Sequence, residues 1–373
     1  MAYERWARVE IDLGAIAHNV RTLKALTSPG THFMAVVKAD GYGHGAEQVA
    51  RAALRAGADR LGVATLEEAL ALRESGIRSP LQLLSEPPAS SVGLLLEHDL
   101  IPTVTTRRFA EALGDAASAA GTEARYHLKI DTGMNRIGVR AEDAPLFAAE
   151  LGRRPGLRME GVFTHFATAD VPGDWDFRTQ LERFGDAVAR MRDENTRPEL
   201  VHACNSAGAI LHPEAHLDMV RCGIALYGLH PAPSTYERID LRPAMRVVAR
   251  ASLVKRIGMG EGVSYGLTWR AAAPTTVATV PLGYADGVHR VLSNRMQVLA
   301  GGVRCPQIGR VCMDQFMFEV PRSARVAEGD EVVICGVQGG ERILMDEMAE
   351  LAGTINYEIA CAFGMRMPRV YTT

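Results

Sequence analysis

From about residue 33 to about residue 226 the chain repeats one pattern, a short apolar run followed by a longer amphipathic stretch. The runs fall at 33–37, 61–64, 81–84, 101–104, 126–130, 159–164, 200–204 and 219–220. Segments 46–56, 66–75, 107–120, 143–153 and 177–193 lie between them, rich in Ala, Leu, Arg and Glu. Their apolar residues recur near three- and four-residue spacing, as on a helix that buries one face. Short apolar strands alternating with helices imply a parallel sheet. Roughly eight such units over roughly 200 residues point to a (β/α)8 barrel of the TIM type. The eighth run is weakly marked, so periodicity by itself leaves an open doubly wound sheet as the alternative.

After about residue 241 the pattern changes. Segments 247–257, 275–280, 296–300 and 331–335 read as strands, separated by turns such as Ala300-Gly301-Gly302, and 344–351 is the one clear helical pattern. The expected organisation is a barrel domain over 1–240 and a mainly β domain over 241–373, with the extreme N-terminal strand a candidate for pairing with the second domain. A chain of 373 residues with 47% hydrophobic content is large enough to build two cores. Its 41 basic and 44 acidic residues leave a formal charge of -3. That balance disfavours nucleic-acid and membrane-surface partners, which usually draw a basic excess. Six cysteines without a Cys-x-x-Cys pair suggest neither a disulfide framework nor a zinc site. His212 and His216 are four apart, but Pro213 lies between them and no HExxH glutamate is present. The N-terminus lacks the layout of a signal peptide, and no apolar stretch approaches the ~20 residues of a membrane span. A cytoplasmic enzyme acting on a small metabolite is the expectation.

In a parallel barrel the chemistry collects where strands end, at the C-terminal face. The first run ends in Val37-Lys38-Ala39-Asp40-Gly41-Tyr42-Gly43-His44-Gly45. A lysine in that place is partly desolvated, and desolvation favours the neutral amine that forms a Schiff base. The same lysine could instead simply snorkel to solvent. The fifth run continues through Lys129 to Arg136, the sixth ends at His165 and Asp170, and the seventh ends His202-Ala203-Cys204-Asn205-Ser206. The eighth gives Arg221-Cys222-Gly223-Ile224. Ser206 at a helix start and the amides around Gly223 and Ile224 fall after strands seven and eight, where barrels commonly hold a phosphate.

Nine segments (AVVKADGYGHG, LKIDTGMNRIG, THFATAD, NSAG, VRCGIALYG, GVSYGLTW, PLGYADG, GRVCMDQ and TINYEI) occur in this order between Ala35 and Ile359. Together they resemble the motif set of the bacterial alanine racemase family, and the lysine motif with GVSYG and CMDQ is highly specific. The resemblance implies pyridoxal 5′-phosphate carried on Lys38, its phosphate held by Tyr42, Ser206, Gly223, Ile224 and Tyr357 with Asn205 alongside. It places Arg221 against the pyridine nitrogen. A permanently charged arginine there donates a hydrogen bond and leaves that nitrogen unprotonated, which weakens the electron sink. Racemisation through an external aldimine needs proton transfer on both faces of the α-carbon, so two bases are implied. They are Lys38 and Tyr265, the latter from the partner subunit of a homodimer with shared active sites. A free tyrosine titrates near ~10, and His165, Arg221 and His202 resemble a hydrogen-bonded relay that would lower this value.

The same resemblance sets Arg136 and the Met313 amide at the substrate carboxylate, with Lys129 at a position that family members often carbamylate. Asp170, Tyr284, Arg290, Arg310 and Asp314 resemble an access corridor that admits small amino acids. Asn135 departs from the small residues that often precede the arginine. The implied activity is interconversion of L-alanine and D-alanine, supplying D-alanine for peptidoglycan. A serine or broad small-amino-acid racemase is the near alternative, and the bulk of Tyr265 and Tyr357 favours alanine. A pyridoxal-phosphate amino-acid decarboxylase would place an acid where Arg221 stands. A single-barrel pyridoxal-phosphate carrier would lack residues 241–373.

Overall fold

The computed structural model describes residues 5–171, 173 and 175–373. The chain divides into two compact units. One comprises Ala15–Gly41 and Ala46–Arg242; the other comprises residues 5–14, Tyr42–Gly45 and Pro243–Thr373. The first strand, β1 (Ala7–Asp12), belongs to the second of these.

The larger unit is a parallel barrel. Its strands are β2 (His32–Val36), β3 (Arg60–Val63), β4 (Leu81–Leu83), β5 (Thr103–Val104) and β6 (Ala124–Asp131), then, after the short β7 (Val139–Arg140) that extends β6, β8 (Leu157–Phe163), β9 (Leu200–His202) and β10 (Met219–Cys222). Apart from β4 and β5, neighbouring barrel strands pair in parallel register, and β10 returns to β2 through Arg221 opposite Met34 and Cys222 opposite Ala35. Between β4 and β5 the ring closes through a bridge of Gln82 to Ile101, with Leu83 N–H donating to the Ile101 carbonyl at 2.9 Å. Closure decides against the open doubly wound sheet. The weakly marked eighth run is a four-residue strand, fully buried.

The outer helices form for local reasons. Helix Leu66–Glu74 begins with a capping box in which Thr65 accepts from Glu68 N–H and the Glu68 carboxylate accepts from Thr65 N–H. Thr106 and Asn205 cap Arg107–Ala119 and Ser206–Leu211 in the same sense. Ala46–Arg55 buries Val49, Ala50, Ala52 and Ala53 on one face. Helices Leu13–Lys24 and Val92–Glu97 were not expected from the pattern; in the second, only Leu95 is buried, so its period is faint. Among the described residues no helix is long and apolar enough to cross a membrane.

The second unit is mainly β. Its strands are β11 (Met245–Arg250), β12 (Leu253–Ile257), β13 (Gly262–Val263), β14 (Trp269–Arg270), β15 (Thr275–Val280), β16 (Gln297–Ala300), β17 (Val303–Ile308), β18 (Phe316–Val320), β19 (Glu331–Gln338), β20 (Glu341–Ile343) and β21 (Arg369–Thr372). The main sheet runs β12-β15-β18-β17-β16-β19-β11-β1-β21, so β1 lies between β11 and β21. One expectation is corrected here. The single strand over 247–257 is two, because the chain turns at Ala251 and Ser252, whose N–H groups bond Asp330 and Thr279. That turn moves the chain from a partner at β19 to one at β15. Helix Asn356–Ala362, also unforeseen, joins the expected Met345–Ala352.

Candidate active site

At the C-terminal end of β2 the chain does not simply loop. Ala39, Asp40 and Gly41 have φ of 53°, 50° and 62°, and Tyr42 follows at 51°. A left-handed turn is costly for residues with a Cβ, about 1–2 kcal/mol each. Such strain persists only where the surroundings over-determine it, and it concentrates at functional sites. Here Gly41 N–H bonds the Val37 carbonyl at 2.9 Å, Asp40 Oδ1 accepts from Ala46 N–H at 2.8 Å, and the Ala39 amide donates to Glu68 at 2.6 Å. Lys38 stands at the start of this turn. Strand β10 is the neighbour of β2, so its end, with Arg221, Gly223 and Ile224, lies beside the lysine-bearing end.

Arg221 is buried, and four hydrogen bonds fix its guanidinium. Nη1 bonds His202 Nδ1 at 2.9 Å. Nη2 bonds the carbonyls of Thr164 (2.8 Å) and Ala203 (2.9 Å), and His165 Nδ1 at 3.2 Å. Burial pulls its pKa to about 10, which still leaves it cationic near neutrality. Because arginine only donates, both imidazoles accept on Nδ1 and carry their proton on Nε2. Burial first, and the nearby Arg221 second, hold His165 and His202 well below the usual histidine range. Both are neutral.

From His202 the bonds run inward. His202 Nε2 meets His127 Nδ1 at 2.8 Å, and His127 Nε2 meets Glu160 Oε2 at 2.9 Å. Arg60 grips both oxygens of Glu160 at 2.8 and 3.1 Å, and Arg125 adds a contact at 3.3 Å. Two local features make this possible. The β6–β8 register slips between Tyr126 and His127, which leaves Glu160 as an extra residue. The next residue is Gly161, where a Cβ would lie 2.6 Å from the His127 ring. Burial would raise the Glu160 pKa, but the bonds from His127 and Arg60 outweigh it and hold the carboxyl well below its usual range.

Lys129, on the same strand face as His127, sits 5.3 Å from the centre of the Phe163 ring. Burial, helped by Arg221, Arg136 and Lys38 and opposed by Asp131, brings its amine to about 7. Lys38, Arg136, Arg221 and the Asp131 carboxylate are thus all near enough to Lys129 to bear on its charge. Asp131 also shapes the loop that carries Arg136, accepting from Gly133 and Asn135 N–H at 3.0 Å each. Asn135 has φ of 55°, a conformation asparagine tolerates, which accounts for its departure from smaller residues. Asn205 caps the helix that begins at Ser206 by accepting from Gly208 N–H at 2.9 Å. The Ser206 hydroxyl accepts from Gly223 and Ala225 N–H at 2.9 and 3.4 Å. Asp170 is exposed at the end of the β8 loop.

Within the β unit, Tyr42 and Tyr357 bring their ring centres to 6.1 Å. Tyr265 is 72% exposed at one side of a cleft of about 490 Å³ that Met313 and Asp314 also line. Ser264 before it has φ 64° and ψ -176°, a region almost confined to glycine. Its hydroxyl donates to the Arg310 carbonyl at 2.6 Å, and buried Val263 packs with Val277 and Ile308 beneath. The loop bearing Met313 is pinned by Tyr284 N–H to the Cys312 carbonyl and Ala285 N–H to the Met313 carbonyl, both 3.0 Å. That approach requires Gly283, where a Cβ would fall 2.2 Å from the Met313 carbonyl oxygen. Asp314 pairs with Arg366 at 2.7 Å, and Arg290 opens the turn Arg290–Leu292.

Sequence reasoning did not find Glu68, His127, Glu160 or Ser264. Glu68 looked like ordinary helix surface, and the strand face shared by His127 and Lys129 was the one signal available. The bulge and the positive φ at Ser264 leave no mark in periodicity.

A closed parallel barrel with a lysine on a strained turn beside a buried arginine, followed by a mainly β unit, defines an enzyme of the barrel-plus-β class. The family profile for the alanine racemase N-terminal domain matches residues 11–231, and that for the C-terminal domain matches residues 244–371. The chain belongs to the alanine racemase family and is a racemase, an isomerase. It is 48% identical to an alanine racemase of Symbiobacterium thermophilum over 98% of this chain and 96% of that one. To an alanine racemase of Desulfovibrio desulfuricans it is 44% identical, over 100% and 99%. Among solved structures, alanine racemase from D-cycloserine-producing Streptomyces lavendulae superposes with a TM-score of 0.94 at 40% identity, over 100% and 98% of the chains. The Bacillus anthracis alanine racemase with bound L-Ala-P superposes with a TM-score of 0.94 at 37% identity, over 100% and 96%.

Proposed function

We propose that this chain interconverts L-alanine and D-alanine in the cytoplasm, with pyridoxal 5′-phosphate and as a homodimer whose sites are shared, and so supplies D-alanine for peptidoglycan. The observation that carries the reading is the cationic barrel mouth. Lys38 stands on a fixed turn beside a buried Arg221, with Arg136 adding charge. Such a mouth fits a dianionic phosphate and a substrate carboxylate, and the Ser206 hydroxyl, whose proton is left to donate while its oxygen accepts from Gly223 N–H, fits the phosphate end beside Ile224. No carboxylate accompanies Arg221 among the partners of its guanidinium. That speaks against the decarboxylase alternative, in which an acid faces the ring nitrogen.

Bound pyridoxal phosphate supplies an electron sink that acidifies the substrate α-carbon. Lys38 would hold the cofactor, and its amine would move a proton at one face of the substrate α-carbon. Tyr265 of the partner subunit moves a proton at the other face, with the β unit (241–373) lending that residue and the Met313 amide. His165 and His202, both neutral, accept from Arg221 and orient its guanidinium, which would meet the cofactor ring. Tyr42, Ser206, Gly223, Ile224 and Tyr357 hold the phosphate, with Asn205 fixing the helix start beneath it. Arg136 meets the substrate carboxylate. Asp170, Tyr284, Arg290, Arg310 and Asp314 line the approach and restrict it to small amino acids. Circular dichroism of L-alanine incubated with the loaded protein should decay to zero, and that of L-serine should decay far more slowly. An unchanged alanine signal would sink the reading.

Lys129 joins this scheme as a carbamate. Its amine, brought to about 7, is substantially neutral at neutral pH and sits among cations. The neutral nitrogen attacks carbon dioxide, a nitrogen–carbon bond forms, one N–H proton passes to solvent, and an anion replaces the neutral amine beside Arg136. Isotopically labelled bicarbonate should give a carbamate resonance that Lys129→Ala abolishes. A resonance that survives the substitution would refute the assignment.

A further inference from the structure

Ala39, Asp40 and Tyr42 hold left-handed backbone directly after Lys38, with Gly41 between them. Left alone, such a segment relaxes to right-handed or extended backbone, because each Cβ crowds the carbonyl that follows. Relaxation would redirect the lysine, since its own ψ sets where the turn begins. Only groups that grip the amides of the segment can prevent it. At the lysine end the grip is one carboxylate. Glu68 Oε1 accepts from Ala39 N–H, the residue next to Lys38, at 2.6 Å. Its other oxygen accepts from Ala64 N–H at 2.8 Å and Thr65 N–H at 3.2 Å, at the end of neighbouring strand β3.

We infer that Glu68 is the positioning residue of Lys38: by joining the Ala39 amide to the end of β3 it locks the left-handed turn and aims the lysine amine. The inference rests on the reading of Lys38 as the cofactor-bearing lysine. Helix capping does not account for the arrangement. A capping box needs only the reciprocal bonds between Thr65 and Glu68, and the bond to Ala39 lies outside it. A carboxylate suits the place because its two oxygens accept several donors at once, whereas a glutamine would turn its own N–H groups toward amides that also donate.

The test uses the full chain with added pyridoxal phosphate, borohydride reduction and peptide mapping of the fixed label, together with the pH midpoint of the bound cofactor's absorption. Glu68→Ala should slow labelling of Lys38 about tenfold and move that midpoint, a shift in the population of one turn conformation. Thr65→Ala removes the hydroxyl cap but not the bond to Ala39, and should behave as the parent chain. Ala39→Gly in the Glu68→Ala background should restore labelling to within about threefold, because glycine adopts positive φ freely. Parent-like labelling by Glu68→Ala, equal slowing by Thr65→Ala, or no restoration by Ala39→Gly would each overturn the inference. Label absent from Lys38 in the parent chain would remove the reading of that lysine, and the inference with it.

Discussion

Tyr265→Phe should cut racemisation by about 10²–10⁴-fold, the usual contribution of a positioned proton-transfer group. The loss should be lopsided. Release of the α-proton from one enantiomer into solvent should nearly stop, while release from the other, handled by Lys38, should persist. The residue is suited to such a clean test. Its ring is largely exposed, so loss of the hydroxyl removes no buried packing, and the backbone that presents it is held by Ser264 and Val263 rather than by the phenol. Mixing Lys38→Ala with Tyr265→Phe chains should return part of the activity, because one site of a hybrid dimer regains both bases. Equal, small losses for the two enantiomers, or no rescue when subunit exchange is verified, would sink the two-base scheme.

Glu160→Ala should destabilise the chain by roughly 3–5 kcal/mol, the range seen when one member of a buried charged cluster is removed. The carboxylate is 3% exposed and answers Arg60 and His127 together. Without it the arginine keeps its charge with one partner fewer, and the His202–His127 chain loses its terminal acceptor. Acid should act in the same direction. Glu160 is held below its unfolded value near ~4.3, so its contribution is present above that pH and is lost as pH falls below it. His127 and His202 are also held below their unfolded value near ~6.5. Unfolding lets them bind protons, so stability should begin to fall once pH drops below about 6.5 and fall further below about 4.3. Urea midpoints across that range check both statements. A change under about 1 kcal/mol for Glu160→Ala would show that the cluster is not an energetic centre.

Much of the barrel could be read from residue order. The alternation of apolar runs with amphipathic stretches from residue 33 onward is a direct imprint of strands buried on both faces and helices buried on one. Lys38 and the Ser206 region could be singled out because a parallel strand's end is where a polar group meets the mouth, whereas Arg221 was marked only by the family resemblance. The strands over 247–257 were merged, because a turn made by Ala251 and Ser252 carries no glycine or proline to announce it. Glu68 and Glu160 were missed because a glutamate on a helix, or within a strand, has many ordinary reasons to be there. Their roles come from what lies opposite.

The sequence determined the periods, the caps and the chemical inventory: the alternation of strands and helices from residue 33, the change of pattern after about residue 241, and the lysine, arginine, histidine and tyrosine of one ordered motif set. Those properties are local, set by neighbours within a few residues along the chain. Only the tertiary structure decided that the ring closes at Gln82 and Ile101, that a bulge turns Glu160 into the path of His127, and that the backbone after Lys38 is left-handed. Each depends on groups far apart in sequence competing for the same space and the same hydrogen bonds, and no local pattern records the winner.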